Sequence, residues 1–285
     1  MIYIKNTQIA GSAGKPILLD AFYKENQTQK PILIFAHGFK GFKDWGTFDQ
    51  MAIFFAKHGA VFVKFNFSFN GGTVCQPMGF PDLEAFSLNT YTKELDDLGL
   101  VIDFVENDTT IPKEEKDTNR IFLIGHSRGG GIVILKAHED ERIKKIVTLA
   151  SVSDYASRFP KEDDPRLKAW KKNKTVYIEN SRTNQQMPLD YSFYEDFKKN
   201  ETRLTIKTAC EKLKKPLLII HGDQDSTVEI HEAKNLHHWS TESELAIIEG
   251  ADHVFNVKHP WNQNFFSKEL NLALDRILDF LIKKS

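Results

Sequence analysis

The stretch Arg120-Ile121-Phe122-Leu123-Ile124-Gly125-His126-Ser127-Arg128-Gly129-Gly130-Gly131 decides how this chain is read. A short apolar run stops at a glycine, a serine follows after one intervening residue, and three glycines open a second apolar segment, Ile132-Val133-Ile134-Leu135. This is G-x-S-x-G between a buried strand and a helix start, the context that sets a serine on a sharp strand-to-helix turn. Gly125 and Gly129 lack the β-carbons that would clash in such a turn. The Ser127 hydroxyl is then expected above the end of a sheet, at a helix N-terminus whose unpaired N–H groups favour developing negative charge. The plainer reading is a glycine-rich turn with a surface serine. An acid, a histidine and an oxyanion loop in the right chain order would argue against it.

Outward from that turn, strand and helix patterns alternate. Residues 2–10 and 16–23 read as a hairpin-like pair of strands, and Pro31 to Ala36 as a continuous apolar strand of the kind a parallel sheet buries on both faces. Phe48, Met51, Ala52 and Phe55 recur at helical spacing, and Ala60 to Phe67 reads as the next strand. Residues 68–90, with Gly71-Gly72, Pro77, Gly79 and Pro81, form a long irregular loop, a feature often tied to function. Tyr91, Leu95, Leu98, Ile102 and Val105 line one face of a helix. The strand at 120–124, a helix to about Glu139 and a sixth strand from Ile143 to Ala150 follow.

Residues 152–205 break the alternation with prolines, charges and the aromatics Trp170, Tyr177, Tyr191, Phe193 and Tyr194. They read as an inserted cap, leaving 1–151 and 206–285 as the core. The alternation resumes with a helix near 203–213, a strand from Pro216 to His221, a helix near 229–238, a strand from Glu244 to Ile248, and a last helix lined by Phe266, Leu270, Leu274, Ile277 and Leu281. The expected fold is α/β, a mostly parallel sheet flanked by helices, with ligands bound beyond the carboxyl ends of the strands.

Composition excludes several partners. With 38 Lys+Arg against 39 Asp+Glu, the net charge of -1 gives no electrostatic case for nucleic acid or an anionic membrane. Two cysteines, Cys75 and Cys210, make neither a disulfide framework nor a metal site. The first residues lack a signal peptide's basic segment and apolar core, and no apolar run approaches spanning length, so the expected location is cytoplasmic.

A serine hydroxyl is a weak nucleophile and needs a base. Of ten histidines, His253, after the last strand in Glu249-Gly250-Ala251-Asp252-His253, is the best placed. His37 is expected to shape its loop and His221 ends a strand. The His126 side chain is expected to point away from the turn. None falls in a zinc motif, and no metal is expected. Asp225, in His221-Gly222-Asp223-Gln224-Asp225, is chosen as the acid that orients the base. Asp223 is nearer the strand and is expected to brace the turn. Asp154, after the sixth strand, opens on the same edge and is the rival acid. The oxyanion is assigned to the backbone N–H groups of Arg128 and, from His37-Gly38-Phe39, of Phe39. Lys40 and Lys43 read as surface charges.

Together these residues make the chain resemble the α/β-hydrolase family, whose chain order is Ser…Asp…His. At finer grain it is similar to small bacterial esterases related to feruloyl and cinnamoyl esterases. The carrying stretches are His37-Gly38-Phe39-Lys40-Gly41, Phe65-Asn66-Phe67-Ser68-Phe69-Asn70-Gly71, Gly125-His126-Ser127-Arg128-Gly129-Gly130 and Glu249-Gly250-Ala251-Asp252-His253. The resemblance implies the α/β-hydrolase fold, hydrolysis of a small-molecule ester without a cofactor, and a cap after the sixth strand that contributes to the substrate pocket. Arg128 departs from it, because many such esterases have a smaller or uncharged residue there. The same residues would serve a thioesterase, a peptidase or an acyltransferase, and a binding module on this fold would need no full triad. A dehalogenase or epoxide hydrolase needs a carboxylate where Ser127 stands.

Overall fold

The computed structural model describes residues 1–180 and 183–283. In chain order it runs β1 (Ile2–Ala10), β2 (Pro16–Tyr23), β3 (Lys30–Ala36), α1 (Phe48–Lys57), β4 (Val61–Asn66), α2 (Leu83–Ser87), α3 (Tyr91–Asn107), β5 (Lys116–His126), α4 (Arg128–Glu139) and β6 (Ile143–Leu149). Then come α5 (Pro165–Asn173), β7 (Thr175–Asn180), β8 (Gln185–Asp190), α6 (Ser192–Lys199), α7 (Ile206–Lys212), β9 (Leu217–Gly222), α8 (Ile230–Trp239), β10 (Ser243–Ile248) and α9 (Lys268–Leu278). Eight strands form one sheet in the order β1-β2-β4-β3-β5-β6-β9-β10. Pairing is antiparallel from β1 through β2 to β4 and parallel from β4 to β10.

Side chains alternate across a strand, so each central strand feeds two cores. Ile32, Ile34, Ile121, Leu123 and Ile219 face one core with Leu95, Leu98 and Ile102 of α3, Ile132 of α4 and Leu236 of α8. Leu33, Phe35, Phe122, Ile124 and Ile220 face the other with Met51 and Phe55 of α1 and Leu270, Leu274 and Ile277 of α9. Burial of each such side chain stabilises by roughly 1.5–3 kcal/mol. The two layers of helices follow from these continuous apolar strands. Among the described residues, no helix is long and apolar enough to cross a membrane.

The structure refines several boundaries. β5 starts at Lys116, before the apolar run, because Lys30 and Lys116 pair in register and the strands shift between Pro31 and Ile32. The buried Lys30 ammonium is satisfied there by the Glu115 carboxylate. The loop at 68–90 contains α2, capped by the Asp82 side chain, which accepts from the Ala85 N–H at 2.9 Å. The last helix starts at Lys268, where Ser267 Oγ accepts from the Leu270 N–H, so Phe266 precedes it. Residues 152–205 hold α5, α6 and the hairpin β7–β8, which forms its own two-stranded sheet.

Lys43 is a correction: it is not a surface charge but 1% exposed. Its Nζ donates to Asp20 Oδ2 at 2.8 Å and to Asp44 Oδ2 at 2.7 Å. Lys64, on β4, reaches the same Asp20 oxygen at 3.0 Å and also donates to the Lys43 carbonyl at 2.9 Å. The oxygens of Asp20, Asp44 and Asp49 lie within 4.8 Å of one another, and the ammonium groups of Lys5, Lys43 and Lys64 sit among them. This network ties the loop after β3, which carries Phe39, to β2 and β4. A half-buried pattern in the sequence cannot distinguish such a lysine from a solvated one, because the partners come from three separate segments.

Burial alone would raise the Asp20 carboxyl, but Lys64, Lys43 and the Asn6 N–H outweigh it and hold it well below the usual carboxylate range. A depressed folded pKa gives stability that is complete above the unfolded value of about 3.9 and is lost as pH falls toward the folded one. Asp20→Asn should therefore cost about 3–5 kcal/mol at pH 7 by leaving buried ammonium charge uncompensated. Urea unfolding at pH 7 and pH 3 checks both points: the deficit should shrink at the lower pH.

Candidate active site

Ser127 occupies the turn between β5 and α4 with φ 56° and ψ −119°, a region that residues other than glycine rarely adopt. Its N–H donates to the Leu149 carbonyl at 2.9 Å, and its own carbonyl accepts from Gly130 and Val152. The turn closes only because the neighbours are glycines. A Cβ on Gly125 would lie 2.3 Å from the Gly129 carbonyl oxygen, and one on Gly129 would lie 2.5 Å from that of Ala36. Gly38, in the loop after β3, approaches so closely that its Cβ would meet the Ser127 Cβ at 2.8 Å.

The loops after β9 and β10 bring Asp225 and His253 to this turn. His253 Nε2 lies 3.1 Å from Ser127 Oγ, and His253 Nδ1 lies 2.8 Å from Asp225 Oδ2. With Nδ1–H donating to the carboxylate, Nε2 is left to accept the serine proton. Burial would raise the Asp225 carboxyl, but hydrogen bonds from His221, His253 and the Val228 N–H hold it well below the usual range. It is therefore a carboxylate at neutral pH, further fixed by the Thr227 N–H at 2.8 Å.

Asp154 does not reach His253. Its carboxylate accepts from the N–H groups of Ala156 and Ser157 and starts a short turn. Asp223 braces the next loop, accepting from the Gly250 N–H at 2.7 Å. His37 is fully buried; burial and, to a lesser degree, the Arg128 charge push it down to about 4 against the opposing Gly38 hydrogen bond. It is neutral at pH 7.

His126 corrects the expectation that it points away. Its Nε2 donates to the His253 carbonyl at 2.9 Å, and it borders the same small pocket of about 60 Å³ as Ser127 and His253. The turn is tight enough that the residue before the serine packs under the last loop. Phe39, in the loop after β3, and Arg128, the first residue of α4, flank Ser127, and neither backbone N–H donates to another group among the described residues. Two such donors, one from a loop and one from a helix start, beside a hydrogen-bonded Ser–His–Asp chain, can stabilise an anionic oxygen.

A cavity of about 650 Å³ opens over Ser127 and His253. Of the aromatics in the insertion, Tyr155 and Phe193 line it, whereas Trp170 and Tyr194 pack on Phe159, Tyr191 packs on Trp170 and Tyr194, and Tyr177 is exposed. Ile178 and Leu189 of the β7–β8 hairpin complete that wall. Neither is legible in the sequence, because two short strands with mixed polar residues resemble a loop. Nor is Tyr155, whose hydroxyl donates to the Arg128 carbonyl at 2.7 Å and supports the start of α4.

A family model described as BD-FAE matches residues 83–240, a span that includes Ser127 and Asp225 but neither Phe39 nor His253. No curated protein matches the chain by sequence. Among solved structures, Est1E from Butyrivibrio proteoclasticus with ferulic acid bound is 19% identical, with a TM-score of 0.70 over 99% of this chain and 98% of that one. The esterase domain of a Rhodothermus marinus protein is 17% identical, with a TM-score of 0.67 over 98% of both chains. A hydrolase described as putative from Agrobacterium vitis S4 is 17% identical, with a TM-score of 0.71 over 98% of both.

The crowding at the turn has a measurable consequence. Gly129→Ala should lower stability by about 1–3 kcal/mol, because the colliding atoms are backbone and cannot swing aside. Gly99→Ala, inside α3, meets only the flexible end of Lys136 at 3.2 Å, and should raise stability by about 0.5–1 kcal/mol. Chemical denaturation of the two variants against the parent checks the contrast.

Proposed function

The chain belongs to the BD-FAE family and has the α/β-hydrolase fold, and from these premises we propose that it is a serine hydrolase of carboxylic esters, small hydroxycinnamate-type esters among them. The observation that carries this reading is the hydrogen-bonded chain from Ser127 Oγ through His253 to Asp225, at 3.1 and 2.8 Å. Ester cleavage in two steps needs a nucleophile, a base held in one tautomer and fixed oxyanion donors.

In the proposed reaction, His253 Nε2 takes the Ser127 proton as Oγ attacks the ester carbonyl. The tetrahedral oxyanion accepts hydrogen bonds from the Phe39 and Arg128 N–H groups. The imidazolium, supported by Asp225, then protonates the leaving alcohol, and an acyl-serine remains. Water gives a proton to His253 and attacks the acyl carbon. The second tetrahedral intermediate collapses to the free acid, and the proton returns to Ser127. No cofactor takes part. Residues 152–205 act as a cap that contributes Ile178, Leu189 and Phe193 to the acyl or alcohol site.

Hydrolysis of p-nitrophenyl acetate, p-nitrophenyl butyrate and methyl ferulate tests the proposal. Ser127→Ala should reduce kcat by about 10⁴-fold or more with the fold intact. Asp225→Asn should cost about 10⁴-fold through the wrong tautomer of His253, whereas Asp154→Asn should leave kcat within about 2-fold. Ester turnover retained by Ser127→Ala, or a larger loss in Asp154→Asn than in Asp225→Asn, would contradict the assignments. Parallel assays with thioesters and aminoacyl anilides should show slower turnover than the esters.

A further inference from the structure

The Arg128 side chain is placed unlike that of an ordinary surface arginine. The side chain as a whole is only 11% exposed. The guanidinium lies 3.9 Å from the Phe39 ring centroid, 5.0 Å from that of Tyr91 and 5.3 Å from that of Phe193. One of its N–H groups donates to Glu94 Oε1 at 3.3 Å. Its other side-chain donors have no acceptor among the described residues, although the group borders the 650 Å³ cavity directly beside Ser127. Donors that border a cavity without a protein acceptor are open to a ligand or to water.

The rest of the cavity wall has the same sign. Lys40 and Arg158 line it with Arg128, against one carboxylate, Asp252. Asp252 Oδ1 is turned toward its own loop, accepting from the Val254 and Asn256 N–H groups. The counter-charges Glu94 and Glu232 hold Arg128 and Arg158 from outside the lining. Glu94 is a weak counter-ion: burial raises its carboxyl above the usual range, despite Arg128 and Asn89, and its Oε2 has no hydrogen-bond partner.

We propose that the cavity selects esters carrying a second carboxylate, which the Arg128 guanidinium binds by its free N–H edge while the ester carbonyl lies at Ser127. A planar guanidinium with two adjacent donors matches a carboxylate, and the aromatic faces around it keep water from competing. This rests on the serine hydrolase reading and gives it a substrate class. The apolar wall of Ile178, Leu189 and Phe193 then takes the hydrocarbon between the two carbonyl groups or the remainder of the alcohol.

Two matched pairs of substrates test it: 4-nitrophenyl hydrogen glutarate against 4-nitrophenyl valerate for a carboxylate on the acyl side, and 3-acetoxybenzoate against phenyl acetate for the alcohol side. The wild type should favour the charged member of at least one pair by about tenfold or more in kcat/KM, mainly through KM. Arg128→Met should remove that preference and Arg128→Lys should keep part of it. Because each ratio is taken within one variant, a general loss of activity cancels. A preference for the neutral ester in both pairs, or a ratio unchanged in Arg128→Met, would overturn the proposal. If Arg128→Met does not fold, inhibition of the wild type by free glutarate against valerate decides the point, with glutarate expected to bind at least tenfold more tightly. Absence of all ester turnover would count against the hydrolase reading instead, and glutarate binding, measured calorimetrically, would still be expected; no binding would overturn the carboxylate site.

Discussion

Ser127 holds a backbone conformation that costs roughly 1–3 kcal/mol for a residue with a side chain, and the surrounding structure is arranged so that it cannot relax. Its N–H and carbonyl are both spent on neighbouring strand ends and the start of α4. The space for this exists only where β-carbons are missing, at Gly38, Gly125 and Gly129. The same crowding that strains the serine brings the loop after β3 against it. His253 and Asp225 reach the turn because β9 and β10 are parallel to β5 and end on the same edge.

Charge is handled differently on the two sides of that turn. Under the loop of Phe39, the buried Lys43 and Lys64 ammonium groups pair closely with the buried Asp20 carboxylate, which fixes the loop to β2 and β4. At the cavity the pairing is incomplete. Arg128 has a single carboxylate contact and is otherwise enclosed by rings. A fully paired cluster holds backbone in position, whereas a half-paired guanidinium keeps donors available to a ligand. In the proposed reaction the position after the serine would join two roles in one residue: a backbone N–H for the oxyanion and a side chain that faces the cavity.

Much of this was legible in the sequence. The continuous apolar strands could be buried only in a two-sided parallel sheet, and the serine turn was marked by its glycines. Ser127, Asp225 and His253 were picked out by chain position, and they lie within hydrogen-bonding distance of one another. What could not be read depends on contacts between distant segments. Lys43 looks solvated until Asp20 and Lys64 are placed beside it. His126 looks outward-facing until the last loop folds over it and offers the His253 carbonyl. In the β7–β8 hairpin Val176 and Ile178, and Met187 and Leu189, do alternate, but each strand is six residues long and Tyr177 and Pro188 break the polar positions between them, so the pattern is too short to stand out from a loop. The unusual Arg128 was visible, but its aromatic enclosure was not, since Phe39, Tyr91 and Phe193 come from three elements.

The most direct test of the account is mass spectrometry of the protein after exposure to diethyl 4-nitrophenyl phosphate, with peptide mapping of the adduct. The phosphate ester reacts with a serine that has a working base and oxyanion donors beside it, whatever the natural substrate. The expected result is one diethylphosphoryl group per chain, on Ser127, with loss of ester turnover in proportion to labelling. An adduct elsewhere, or undiminished turnover by chains labelled on Ser127, would contradict it.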